Sequence, residues 1–102
     1  MKDIVIIKKI EIIGGNTLLI KPDGESFEMI YRSATGVYWD TESECLSFAL
    51  SYNMCDYVQA FMHIVEAVQI EYGKFLKINV NTAFVNIEEN VKNGIIRICG
   101  TL

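Results

Sequence analysis

Thr41–Tyr72, TESECLSFALSYNMCDYVQAFMHIVEAVQIEY, decides how the rest of the chain is read. It lies in the longest stretch free of Pro and Gly and holds no Lys or Arg. Asp40-Thr41-Glu42-Ser43-Glu44 opens it with a helix-start signal. Thr41 stands as a cap, Glu44 comes three residues on as in a capping box, and acids meet the positive end of a helix dipole. Leu46, Ala49, Leu50 and Met54 then share one helical face. Asn53 closes this helix and Asp56 caps a second. In that second helix Val58, Phe61, Met62, Val65 and Val68 form the apolar stripe, and Gly73 comes next as a C′ residue. A competing pattern runs through the same residues. Leu46, Phe48, Leu50, Tyr52 and Met54 also alternate with polar or small residues, which makes 46–54 a strand. By the same alternation, 67–72 would pair across Gly73-Lys74 with 75–80.

The flanks are β-rich. Ile4–Ile13 is largely β-branched, and Lys8, Lys9 and Glu11 give its second half a wet face. Gly14-Gly15-Asn16 turns the chain into a strand at Leu18–Ile20. Pro22-Asp23-Gly24 is a second turn, and period-2 alternation over Phe27–Arg32 predicts a third strand. Phe27, Ile30, Tyr31 and Ala34 fit a helical period as well; the turn favours a hairpin. Val37-Tyr38-Trp39 predicts a fourth strand. Beyond the centre, Phe75–Val80 reads as a strand and 83–91 as helix or strand. Asn93-Gly94 reads as a hairpin turn into a last strand, Ile95–Cys99. The expected class is α+β: an antiparallel sheet, built from an N-terminal meander plus C-terminal strands, packed against a central helix or helix pair.

With 102 residues the chain is expected to form one domain. Apolar and aromatic residues make up 51% of it, much for a small domain to hide, and this predicts a homodimer. No secretory signal and no membrane span are visible, so a cytoplasmic protein is expected. Cys45, Cys55 and Cys99 form no CxxC pair and read as small buried hydrophobes.

The net charge of −4 is unevenly spread. Residues 1–21 sum to +2, 22–44 to −5, 45–72 to −3 and 73–102 to +2. That distribution argues against nucleic-acid binding, which needs clustered Lys and Arg, and suits a basic protein partner.

No metal, cofactor or catalytic motif stands out. His63 is the only histidine. On a helix it shares a face with Asp56, Gln59 and Glu66, a pattern able to hold an imidazole between carboxylates. A solvated polar stripe explains the same residues. Tyr38 and Trp39 lie beside Asp40, Glu42 and Glu44, and aromatic side chains next to charge suit a binding surface; Tyr31 and Tyr52 extend that set. The sequence therefore predicts a small non-catalytic binding protein of inhibitor, antidote or adaptor type. Its binding residues would be Tyr38, Trp39, Asp40, Glu42, Glu44, Asp56, His63 and Glu66. The alternative is a small enzyme or ligand-binding domain with a pocket at His63 and its carboxylate neighbours.

Overall fold

A computed structural model describes residues 3–50 and 56–99. The fold is α+β: a mixed, mainly antiparallel sheet of six strands packed against two helices. The strands are β1 (Ile4–Ile13), β2 (Thr17–Pro22), β3 (Val37–Asp40), β4 (Cys45–Ala49), β5 (Phe75–Lys77) and β6 (Ala83–Val85). The helices are α1 (Tyr57–Tyr72) and α2 (Glu89–Cys99), with a short 3-10 turn at Ile30–Arg32. The order across the sheet is β3-β4-β2-β1-β5, and β6 also pairs with β1. β5 and β6 run parallel to β1; the remaining pairs are antiparallel.

β1 is the longest strand, and it carries a bulge between Ile7 and Lys9. The bulge resolves its irregular apolar pattern. Val5 and Ile7 face the core before it, Ile10 and Ile12 after it, because one extra residue resets the alternation. Lys9 and Glu11 then fall on the outer face, 3.2 Å apart, which is the wet side expected from the sequence. The buried Thr82 hydroxyl donates to the carbonyl of Ile7 at 2.7 Å, at the point of β1 between its pairings with β5 and β6.

Leu18, Ile20, Val37, Leu46 and Phe48 point from β2, β3 and β4 to the helical side, where Phe61, Ile64 and Val68 of α1 meet them. Asp56 caps α1 by accepting the Val58 N–H at 2.9 Å. Gly73 ends the helix in the left-handed conformation, its N–H donating to Gln69 O. Both ends stand where the sequence put them.

Three elements differ from expectation. Thr41 starts no helix: 41–44 is the loop of a β3–β4 hairpin, and the strand alternative holds for Cys45–Ala49. β4 has a neighbour on each side, so its backbone is satisfied as a strand while Leu46 and Phe48 are buried. The expected helical residue Met54 lies outside the described residues. Phe27–Arg32 forms no strand, because β4 occupies the place beside β2. Phe27 and Ile30 are buried three residues apart, joined by the Ile30 N–H to Phe27 O bond of a tight turn. Finally, 95–99 belongs to α2 and not to a strand. Gly94 sits inside the helix because a Cβ there would lie 2.7 Å from Val58 Cγ2 on α1. It permits close helix approach and makes no turn.

Cys45 and Cys99 are buried free thiols, as expected. Burial pushes the Cys99 thiol up to about 11 against the weaker pull of Lys77, and its Sγ lies 3.3 Å from Leu76 O. Cys55 lies outside the described residues. Among the described residues no helix is long and apolar enough to cross a membrane.

Candidate functional site

Where β2 ends, the chain turns at Pro22 and passes the tip of the β3–β4 hairpin. A recess of about 380 Å³ opens between them. Trp39 forms one wall, with Glu25, Glu28 and Glu44 around it and Thr41 at its lip. Among the described residues no lysine or arginine lines it. Two lysines approach the carboxylates from outside: Lys74 stands 3.9 Å from Glu25 and Lys21 3.9 Å from Glu44. At that distance and exposure each pair is weak.

Trp39 is held from behind. Phe27 meets it edge-on with centroids 5.9 Å apart, and Phe27 meets Tyr72 of α1 in the same way at 5.0 Å. The Tyr72 hydroxyl accepts the Met29 N–H at 2.8 Å. The indole thus both packs on the core and faces the recess. Glu44 reaches its position with φ of 58°, a left-handed conformation that few non-glycine residues adopt.

The expected binding residues divide into separate groups. Trp39 and Glu44 come together at the recess. Tyr38 alternates to the opposite face of the sheet and is 61% exposed, so the two aromatics do not form one surface. Asp40 is turned onto its own loop, where it accepts the Ser43 hydroxyl at 2.8 Å and the Glu42 N–H at 3.1 Å. The Ser43 hydrogen bond, then that of Glu42, holds its carboxyl below the usual range. Glu42 is exposed.

The α1 residues sit elsewhere. Asp56 is occupied as the helix cap, and Glu66 is exposed. His63 is half-buried, its ring 5.6 Å from that of Phe48. Phe48 pairs with Val37, at the far end of the hairpin from Asp40 and Cys45, so His63 and the recess are distinct places. Among the described residues no three His, Cys, Asp or Glu side chains gather to hold a metal. Tyr52 lies outside the described residues.

Glu25 and Glu28 belong to no motif that sequence reasoning singles out. The only sequence signal for them is the −5 charge of residues 22–44, which marks the region without naming the residues.

Comparison with known proteins gives two findings. A solved structure described as "Structure from the mobile metagenome of North West Arm Sewage Outfall: Integron Cassette Protein Hfx_Cass5" is 25% identical over 93% of this chain and 94% of that one, with a TM-score of 0.44. No curated protein matches. The family profile "Integron Cassette Protein Hfx_Cass5" matches residues 3–82, from the start of β1 through α1 to Thr82, and by that match this chain belongs to the integron cassette protein Hfx_Cass5 family.

Proposed function

We propose that this protein is a small, non-catalytic cytoplasmic binding protein that takes a basic segment of a protein partner into the Trp39 recess. The observation that carries the reading is an indole wall flanked by Glu25, Glu28 and Glu44 in a recess with no basic lining among the described residues. A guanidinium or ammonium group laid over the indole gains a cation–π contact of about 0.5–2 kcal/mol. The carboxylates add charge-assisted hydrogen bonds to the same group. An acidic middle region of −8 over residues 22–72 (−5 and −3) would steer such a partner and speed its arrival.

Trp39 is the single tryptophan, so its fluorescence reports directly on occupation. Titration with a short arginine-rich peptide should shift the emission, and raised salt should weaken the effect. Glu28→Gln and Glu44→Gln should each lower the affinity. An emission unchanged by arginine-rich and lysine-rich peptides alike at low salt would dismiss the proposal. Catalysis around His63 has less support, because Asp56 is engaged as a cap and the His63 ring lies tilted against that of Phe48.

A further inference from the structure

A second recess, of about 260 Å³, lies at the bulge of β1 and shares no lining residue with the Trp39 recess. Bulges recur beside binding sites because they re-aim side chains and interrupt pairing. Two loops bound this recess, and each is tied to a successive carbonyl of β1. The Asp23 N–H donates to Ile6 O at 2.9 Å, which holds the turn that follows β2. The Thr82 hydroxyl donates to Ile7 O at 2.7 Å, which holds the turn at 79–82. Lys8, at the bulge, and Asp23 both line the recess. Both are exposed, and among the described residues neither forms an ion pair, with the other or with any other group. Asn79 lines the other flank. Its Oδ1 accepts the Asn81 N–H at 2.9 Å, so its amide is fixed and Nδ2 is left as a donor with no partner among the described residues.

We propose that this recess binds a small free α-amino acid, its carboxylate on Lys8 and Asn79 Nδ2 and its ammonium group on Asp23. An anion alone would meet Lys8 but lie beside the uncompensated Asp23 carboxylate, and a cation alone would meet the reverse. A molecule that carries both charges a few bonds apart answers both, through charge-assisted hydrogen bonds at each end. The half-buried Ile6 adds an apolar surface for a short side chain. The volume lies just below the range of about 300–1,000 Å³ that holds drug-sized ligands, which suits a molecule of amino-acid size. This site needs nothing from Trp39, so it stands apart from the proposed function.

NMR titration of the isotope-labelled protein with L-alanine and with L-valine, at constant ionic strength, tests it. Exposed charge contacts of this kind give a dissociation constant of roughly 1–10 mM. The backbone amides of Lys8 and Asp23 and the side-chain amide of Asn79 should shift along one saturable curve. Lys8→Ala and Asp23→Ala replace exposed side chains, and with far-UV circular dichroism unchanged each should weaken binding about three- to fivefold. Acetate and methylamine carry one charge each and should bind more weakly than either amino acid. The absence of saturable shifts with both amino acids up to about 50 mM overturns the proposal, since that concentration is well above the expected constant. Acetate or methylamine producing the same shifts at the same concentration also overturns it. So do Lys8→Ala and Asp23→Ala variants that both bind L-alanine or L-valine as before.

Discussion

Asp40 and Asp56 begin the same way and lead to different structures. Each accepts a backbone N–H two residues on: Asp40 from Glu42 at 3.1 Å, Asp56 from Val58 at 2.9 Å. After Asp56 the chain makes a helix of sixteen residues; after Asp40 it makes a hairpin loop and a strand. The aspartate therefore does not choose. An Asp side chain satisfies the first free N–H of a helix and of a turn with equal ease. The residues downstream of it choose. Behind Asp56, Phe61, Ile64 and Val68 bury one continuous stripe against the sheet. Behind Asp40, only a strand lets Leu46 and Phe48 face inward while β2 and β3 pair with both edges. The helix rests on its packed stripe and the hairpin on its ladder.

Phe61→Ala strikes the stripe and has the largest expected effect, a loss of about 3–5 kcal/mol in denaturant unfolding. A loss under about 1 kcal/mol would show that α1 does not depend on the stripe. Gly94→Val strikes the first turn of the same helix through Val58, whose Cγ2 lies 2.7 Å from the site of the added Cβ. Overpacking of this kind should cost about 1–3 kcal/mol, read as a lower melting temperature. Asp56→Ala should cost about 1 kcal/mol, the usual worth of a helix cap, and reduce helical circular dichroism.

The hairpin arm predicts a smaller change of opposite sign. Glu44→Gly removes a side chain from a left-handed position and should stabilise the fold by about 0.5–1 kcal/mol. A destabilisation would mean that the weak contact with Lys21 outweighs the backbone strain. Least of all in energy, Asp40 links the loop to pH. Its folded pKa is depressed, so its contribution is present above the unfolded value of about 3.9 and is lost as pH falls through the folded value. Ser43→Ala removes the chief cause, and the Asp40 carboxyl should then titrate at higher pH by NMR.

Elements with a local cause were legible in the sequence. Ile4–Ile13 and its turn, the Asp56 cap and the Gly73 terminus each arise from a few neighbouring residues; the Val58–Val68 stripe was legible in part, since Phe61 and Val68 are buried but Met62 is 41% exposed and Ile64, not counted in it, is buried. Of the candidate site, the acidic region and Trp39 were legible, but their partners were not. Adjacency in the chain groups Tyr38 with Trp39, yet strand alternation sends them to opposite faces. Glu25 and Glu28 join the recess only because the chain after Pro22 folds past the hairpin tip.

By itself, then, the sequence determined the α+β class, the long helix with both its ends, and the acidic middle of the chain. These rest on periodicity, capping and charge, which act over a few residues. Tertiary structure alone decided that Cys45–Ala49 is a strand, that Phe27–Arg32 is not, and that Gly94 lies inside a helix. In the first two cases the local pattern fits two conformations nearly equally; in the third it points to a turn and strand, and the helix prevails over it. The balance is tipped by a distant neighbour: β2 beside β4, β4 in the place a third meander strand would take, and Val58 against Gly94. Such contacts join residues far apart in the chain, and no local pattern records them.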